Sequence, residues 1–272
     1  MRKKVFLDEM TWREAKDAIE RGAPVFLPTG PVEGHGPHVP LGCDYYIATA
    51  FSVVMAQKCG GVVLPPLTYN FSGATSTFRG AVSVPIDVQV QMLKAIIRAL
   101  WRQGFKYIFV VSVHGPNGIP IGNAVRSLFE DENIPAVYLN PWGFVEEERL
   151  KRDVPNYDDN YKEAMLAYAA AKILGKESAI PDLGELKDEE PPEGCELAEP
   201  LRKVQRYGMV GYHYTHELQH ISPRAGIDVE LGLKVYEETA ERMLPVVDAL
   251  REYVRWIEEH PREYIGGGRW RW

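Results

Sequence analysis

The chain has 272 residues, 45% hydrophobic and 25% charged, which predicts a single large domain spanning 1–272. Its formal net charge of −7 argues against nucleic acid or an anionic membrane as a partner. No apolar run approaches the roughly 20 residues of a membrane helix. The first residues lack the apolar run of a signal peptide, and three scattered cysteines are typical of a reducing compartment. We therefore expect a cytoplasmic protein.

The predicted elements alternate between helices and short apolar strands. Thr11 and Glu14 form a capping box, which predicts the first helix over 11–21. Apolar runs predict strands at 24–29, 61–64, 107–113 and 136–139. Helical spacing predicts helices at 44–57, 87–103, 117–130 and 161–174. This alternation predicts an α/β fold, a layered domain with a mostly parallel central sheet flanked by helices.

The last third of the chain is less regular. The acidic stretch 182–200 predicts a solvated surface loop. The amphipathic stretch 229–259 predicts helix, with Pro245 either dividing it in two or starting a second helix. The tail 261–272 ends in Trp270 and Trp272 and is predicted to be either flexible or docked, for example against a partner subunit.

A motif rich in carboxylates and imidazoles follows the first predicted strand. Glu33 and His35 are two residues apart, so in an extended segment their side chains leave the same side of the backbone. Asp44, at the start of the next predicted helix, could complete the group. Carboxylate and imidazole ligands suit Zn²⁺, Mn²⁺ or Fe²⁺. The sequence therefore predicts a hydrolytic metal site that holds one or two divalent ions.

A second strand also ends in a histidine. His114 follows the apolar run 107–113 as the Glu33 loop follows the first strand. Ligands in open α/β sheets bind beyond the carboxyl ends of the strands, so these two loops can share one pocket. Cys43, the neighbour of Asp44, is interpreted either as a small buried residue or as a pocket nucleophile.

The two motifs together are specific. They read Glu33-x-His35-Gly-x-His38-x-Pro-x-x-x-Asp44 and His114-Gly-x-Asn117. With them the sequence resembles the creatininase family of creatinine amidohydrolase-like proteins. The resemblance implies a layered α/β fold and a homo-oligomer, possibly a hexamer. It also implies that Glu33 and His114 bind one metal ion, that His35 binds the other, and that Asp44 bridges the two.

Two positions depart from the family pattern. Creatininase has a second-metal glutamate two residues after the strand-end histidine, where this chain has Pro116. The family's H-A-G-E segment, which supplies a catalytic histidine, has no clean counterpart, although Glu163 aligns with its neighbouring glutamate. A replacement base or ligand is expected from the segment 211–224, which carries His213, His216 and His220.

The expected catalytic residues are therefore Glu163, His213 and His216. His38 and Trp142 are expected either to contact substrate or to support the site from behind, with loop or core packing as the alternative. The expected partner is a small cyclic molecule.

Three functions remain open at this stage. The first is metal-dependent hydrolysis of a cyclic amide or formamide-type C–N bond by metal-bound hydroxide. The second is hydrolytic C–C ring opening of a cyclic diketone, such as an oxidised inositol of the 3-dehydro-scyllo-inosose type. The third is a non-catalytic, metal-dependent binding or assembly protein, for which the loss of the H-A-G-E segment is the main argument.

Overall fold

The computed structural model describes residues 4–155, 157–182, 189, 191–196, 199–206, 209–220 and 226–261. Parts of the acidic stretch 182–200 therefore lie outside the described residues. The predicted tail also lies outside them beyond position 261, and its docking stays a prediction.

Four short parallel strands form the central sheet in the order β2-β1-β3-β4. The pairing aligns Val25 of β1 with Val62 of β2 and with Ile108 of β3, while Phe109 of β3 pairs with Val137 of β4. Each strand falls inside a run predicted from its apolar residues. The strands are β1 (Val25–Pro28), β2 (Val62–Val63), β3 (Ile108–Val111) and β4 (Val137–Leu139).

Six helices lie close to their predicted positions, and two short helices, at 147–153 and 199–205, were not predicted. The first helix is capped as the sequence predicts, because Thr11 Oγ1 accepts the N–H of Glu14 at 3.3 Å and the Glu14 carboxylate accepts the N–H of Thr11 at 2.7 Å. The helices are α1 (Trp12–Glu20), α2 (Cys43–Cys59), α3 (Ile86–Gln103), α4 (Gly118–Glu132), α5 (Glu147–Asp153), α6 (Asp159–Leu174), α7 (Glu199–Gln205) and α8 (Val229–Glu259).

Helices cover both faces of the sheet. Successive strand residues point to opposite faces, so Phe26 and Phe109 join one core while Val25 and Ile108 join another. The first core contains α2, α6 and α8, and the second contains α1, α3 and α4. Because each strand is buried on both sides, its sequence reads as a continuous apolar run. The predicted layered α/β fold is confirmed.

The prediction that Pro245 divides the last helical stretch is wrong. α8 continues from Val229 to Glu259 with Pro245 inside it. Pro245 is exposed, while buried side chains of α8 such as Tyr236 and Met243 pack into the core shared with α2 and α6, and this packing outweighs the local preference of proline. Among the described residues, no helix combines the length and the hydropathy needed to cross a membrane.

Candidate metal centre

Four elements deliver the acidic and imidazole side chains to one place. Glu33 and His35 follow the carboxyl end of β1, and His114 follows that of its neighbour β3. Asp44 lies in the first turn of α2, and Glu163 lies in α6, which packs against α2. The parallel sheet brings the two strand-end loops to the same edge, as expected for a ligand site in an α/β fold.

Gly30 lets the loop after β1 pass directly against the start of α2. A Cβ atom at this position would lie 2.6 Å from the backbone nitrogen of Tyr45 and 2.8 Å from Cβ of Asp44. Real Cβ atoms do not approach other atoms so closely. A side chain at position 30 would therefore push the loop that carries Glu33 away from Asp44.

Two backbone carbonyl groups fix the orientation of the imidazole rings. Nδ1 of His35 lies 3.3 Å from the carbonyl oxygen of Glu33, and Nε2 of His114 lies 3.1 Å from that of Phe71. A carbonyl oxygen only accepts hydrogen bonds, so each of these ring nitrogens carries the proton. In the neutral rings the other nitrogens, Nε2 of His35 and Nδ1 of His114, have a free lone pair and face the carboxylates. This arrangement is typical of metal-ligating histidines.

The free ring nitrogens lie near carboxylate oxygens. Nδ1 of His114 is 3.3 Å from Oε1 of Glu33 and 3.4 Å from Oδ2 of Asp44. Nε2 of His35 is 3.5 Å from the same Asp44 oxygen. One ligand atom from each of Glu33, Asp44 and His114 lies within 4.8 Å of the others, and all three residues are buried. These positions suit Asp44 for contact with both imidazoles.

Three buried carboxylate oxygens of the described residues lack a hydrogen-bond partner. They are Oε1 of Glu33, Oδ2 of Asp44 and Oε2 of Glu163. Leaving a buried charged oxygen without a partner is costly, so such atoms call for a cation. The oxygens and the two oriented imidazoles form a mixed N/O donor set that fits Zn²⁺, Mn²⁺ or Fe²⁺.

The electrostatics of the group point the same way. Burial raises the pKa of Glu33 and of Glu163 to about 8, and the charge of Asp44 adds to both shifts. Burial opposes the charge of Asp44, but His35 and His114 outweigh it and lower its pKa. Burial also opposes the charge of His114, yet Asp44 and Glu33 raise its pKa to about 9. All three carboxyl groups can ionise together at neutral pH only when further positive charge is present.

A buried amide network supports the two loops. Nε2 of Gln89 donates to the Oδ1 atoms of Asn70 and Asn117 at 2.6 and 2.8 Å. Oε1 of Gln89 accepts the N–H of Phe71 at 2.7 Å, and Asn117 donates to Ser112 at 3.0 Å. Gln89 thus holds Phe71, the residue whose carbonyl orients His114. No sequence motif marked it, because glutamine in a helix ordinarily indicates a solvated face.

The three expected catalytic residues lie in different surroundings. Oε2 of Glu163 lies 3.9 Å from Nε2 of His35, inside the group. His213 is exposed. Nδ1 of His216 accepts the N–H of Leu218 at 3.1 Å and caps the short 3-10 helix Glu217–Gln219. The catalytic roles of all three residues stay predictions.

His38 and Trp142 lie at the edges of the site. Nε2 of His38 is 4.0 Å from Oε1 of Glu189, and its backbone carbonyl accepts a hydrogen bond from Tyr168 at 3.3 Å. The indole N–H of Trp142 donates to the carbonyl of Val113 at 2.7 Å, directly before His114. The Trp142 ring thereby braces the end of β3. The roles expected of these two residues stay predictions.

His220 reaches the carboxylates, although it was not among the expected catalytic residues. Its Nε2 lies 4.0 Å from Oε1 of Glu33, and its ring centroid is 5.0 Å from that of His35. Burial, aided by the charge of His35, lowers the pKa of His220 to about 3 and keeps the ring neutral. The sequence revealed three closely spaced histidines but not which of them enters the site.

Cys43 is fully buried, and burial together with the charge of Asp44 raises the pKa of its thiol well above the usual range. A thiol in this state is a poor nucleophile. The geometry therefore favours the interpretation of Cys43 as a packed core residue.

Comparison with known proteins defines the family. A family model described as creatininase, creatinine amidohydrolase, matches residues 8–180. The chain belongs to the creatininase family. The match includes Glu33, His35, Asp44, His114 and Glu163 and ends before the histidine-rich segment.

Two relatives of this chain are named for different hydrolytic activities. Creatinine amidohydrolase from Pseudomonas putida is 28% identical over 159 residues, covering 54% of this chain and 61% of the relative. The 3-dehydro-scyllo-inosose hydrolase from Thermotoga maritima (strain ATCC 43589 / DSM 3109 / JCM 10099 / NBRC 100826 / MSB8) is 26% identical over 138 residues, covering 50% of this chain and 44% of the relative. The matches thus span only about half the length of these relatives.

A solved creatininase structure shares the fold. The structure described as "Creatininase Mn" superposes with a TM-score of 0.69 and 24% identity, covering 93% of this chain and 99% of the other. At this identity the likeness concerns the fold alone.

Proposed function

We propose that this member of the creatininase family is a divalent-metal-dependent hydrolase that opens a small cyclic substrate at a C–N bond. The observation that carries the proposal is the pair of buried, unpartnered carboxylate oxygens on Glu33 and Asp44 beside two oriented imidazoles. If the site had a purely structural role, these buried oxygens would be expected to have hydrogen-bond partners, or the carboxylates would be absent. Membership of a family that includes metal-dependent hydrolases supports the same conclusion.

Three residues would hold one ion. Glu33, Asp44 and His114 offer ligand atoms that already face one another, and His35 with Asp44 would contribute to a second position. When bound, a divalent ion polarises a substrate carbonyl and lowers the pKa of water towards ~7. The chain keeps Glu33 in place through Thr75, whose hydroxyl donates to Oε2 of Glu33 at 2.6 Å.

Glu163 is the proposed proton carrier. With a pKa raised to about 8, its carboxyl group holds a proton near neutral pH and can give it to a departing nitrogen. Its Oε2 lies 3.9 Å from Nε2 of His35, so the carboxyl proton would lie next to a proposed metal ligand. We assign this role to Glu163 ahead of His213, which is exposed, and His216, which is engaged as a helix cap.

A cavity of about 360 Å³ adjoins the loop that carries Glu33 and His35, and its size suits a small substrate, although the proposed ligands themselves do not line it. Its walls come from the Glu33 loop, from the Phe78 loop and from the segment that carries His216. The lining residues are Gly34, Gly36, Pro37, Leu41, Phe78, Arg79, Glu189, His216, Glu217 and Leu218. His38, next to Pro37, is the proposed substrate contact on this side, and Trp142 is the proposed support behind β3.

The test is turnover of a panel of cyclic amides and cyclic polyol diketones by the metal-loaded chain. Hydrolysis of a cyclic amide that is abolished by a chelator and restored by Zn²⁺, Mn²⁺ or Fe²⁺ is expected. Asp44→Asn should lose turnover while keeping its far-ultraviolet circular dichroism. That result would also eliminate a non-catalytic binding protein, whereas a metal-loaded chain without turnover on any panel member would contradict the proposal.

A second candidate is hydrolytic C–C opening of a cyclic diketone such as an oxidised inositol. The similarity to 3-dehydro-scyllo-inosose hydrolase supports it, as does the absence of a clean H-A-G-E segment. The same metal group would polarise the ketone, and Glu163 would protonate carbon instead of nitrogen. Turnover confined to the diketones of the panel would select this candidate.

We also propose a homo-oligomer from the family resemblance, with a hexamer as the expected assembly. Light scattering coupled to size-exclusion chromatography measures the mass directly. A monomer would contradict this assignment without affecting the proposed chemistry.

A further inference from the structure

We infer that His220 is a metal ligand, and that with Glu33 and His35 it forms a second metal position beside the one made by Glu33, Asp44 and His114. This inference rests on the metal dependence proposed above. One ligand atom from each of Glu33, His35 and His220 lies within 4.8 Å of the others. Nε2 of His220 is 4.0 Å from Oε1 of Glu33, the oxygen that lacks a hydrogen-bond partner.

The fold places His220 over the site through its aromatic neighbour. Tyr214 donates its backbone N–H to the carbonyl of Ala74 at 3.1 Å, which ties the segment to the loop opposite the Glu33 loop. The Tyr214 ring stacks on the His220 ring, with centroids 5.5 Å apart and an interplanar angle of 23°. Tyr214 also packs on Phe78, at 5.8 Å. One face of the imidazole is therefore held by packing while its Nε2 edge faces Glu33.

A second anchor fixes the turn before His220. The carboxylate of Glu217 accepts three hydrogen bonds from Arg79: from its backbone N–H at 2.9 Å, from Nε at 3.1 Å and from a terminal nitrogen at 2.6 Å. Gln219 closes the capping box by accepting the N–H of His216 at 2.8 Å. The segment is held on both sides of the turn, so His220 is positioned and does not merely lie near the carboxylates.

The three histidines of this segment thus have three different surroundings. His213 is exposed, His216 caps the 3-10 helix, and His220 alone among them shares a candidate metal group. Position 116 offers no competing ligand, because the side chain of Pro116 has no donor atom, and its ring packs against the loop that carries Gly73. A Cβ atom on Gly73 would lie 3.0 Å from Cγ of Pro116.

A ligand and a proton carrier can be told apart by counting ions. A ligand contributes to metal affinity whether or not substrate is present, whereas a proton carrier leaves the metal content unchanged. The readout is therefore metal content, which does not depend on knowing the substrate.

The experiment strips the full chain with a chelator, reloads it with Co²⁺, removes free metal and measures the bound ions by mass spectrometry. The wild-type chain is expected to hold about two ions and His220→Ala about one. His213→Ala, which removes an exposed imidazole from the same segment, should keep both. The visible Co²⁺ spectrum should change in His220→Ala and not in His213→Ala.

A third variant covers the case in which His220→Ala disturbs the segment. His220→Asp restores an oxygen ligand and is expected to recover part of the second ion. Retention of two ions by His220→Ala would overturn the inference while the metal-dependent hydrolase stands, and so would a wild-type chain that holds a single ion. A wild-type chain that binds no metal would remove both proposals.

Discussion

The carbonyl oxygen of Phe71 accepts a hydrogen bond from Nε2 of His114 at 3.1 Å, and this bond turns Nδ1 of the ring towards Glu33 and Asp44. The position of the carbonyl depends in turn on Gln89, which accepts the N–H of the same residue. A glutamine on a different element therefore helps to orient a proposed ligand without touching it.

Gln89→Leu should weaken metal binding by about 10- to 100-fold, because it releases the backbone N–H of Phe71, the residue whose carbonyl orients His114. Isothermal titration of the metal-free chain measures this directly. Gln57→Leu is the matched control, since Gln57 is exposed on α2 and should leave the affinity unchanged. The loss of buried hydrogen bonds also costs stability, so unfolding of the metal-free variant is measured in parallel. Equal affinities for Gln89→Leu and wild type would refute the orienting role.

Glu163→Gln should lower kcat by about 10²- to 10⁴-fold once a substrate is known, because the amide cannot deliver a proton. The metal content should stay at the wild-type value. Because burial raises the pKa of Glu163, its carboxyl group keeps a proton to higher pH than an exposed glutamate does, and the wild-type rate should fall as pH rises and that proton is lost. Glu177→Gln, at an exposed position, serves as the control. A variant with normal kcat would show that another group carries the proton.

The metal-free chain should lose stability as pH rises from about 6.5 to 9. The pKa values of Glu33 and Glu163 are raised in the folded state to about 8 from the ordinary value of 4.5, so their contribution is fully present below pH 4.5 and is lost as pH rises through 8. The pKa of His114, raised from 6.5 to about 9, acts in the same direction. The lowered pKa values of His35 and His220 have the opposite sign, because their contribution is lost as pH falls and is fully present above pH 6.5. These two histidines offset the carboxyl groups only below pH 6.5, so the net loss lies above it.

Thermal unfolding across this pH range, with and without chelator, tests the expectation. Glu163→Gln should reduce the slope of Tm against pH in the metal-free chain, and Glu177→Gln should leave that slope unchanged. Added metal should reduce the pH dependence of Tm in the wild-type chain, because the ion binds the ionised carboxylates. A pH-independent Tm in the metal-free chain would be inconsistent with these shifts.

Pro245→Ala should stabilise the chain by about 1–3 kcal/mol. Proline inside α8 removes a backbone hydrogen bond and disfavours the helix by about 3 kcal/mol relative to alanine. Pro245 is exposed, so its removal loses little packing. Urea unfolding measures the change, and Glu252→Ala, also exposed on α8, should stay within about 0.5 kcal/mol of wild type. Destabilisation by Pro245→Ala would mean that the packing of α8 depends on Pro245.

The sequence could predict the sheet and most helices because their signals are local. The apolar runs around Phe26 and Phe109 are long enough to identify buried strands, and Thr11 with Glu14 marks a helix start. The continuation of α8 through Pro245 could not be predicted, because it depends on packing against helices that lie far away in sequence.

Part of the candidate site could likewise be predicted from local sequence, and part could not. Glu33, His35 and Asp44 lie in one short motif, and His114 ends a strand, so their proximity follows from strand order once the sheet is parallel. The approach of His220 depends on long-range contacts, such as the one between Arg79 and Glu217, for which the sequence carries no periodic signal.

α2 carries Asp44 in its first turn, and nearly every one of its next twelve side chains is buried. A helix enclosed in this way has no solvent face on which substitutions can accumulate harmlessly. In a scan of all single substitutions, α2 should tolerate almost no change along this length, whereas α3, which has an exposed face, should accept many. Diversification within such a scaffold would then be confined to the surface loops, while the Asp44 helix changes slowly for reasons of packing as much as of chemistry.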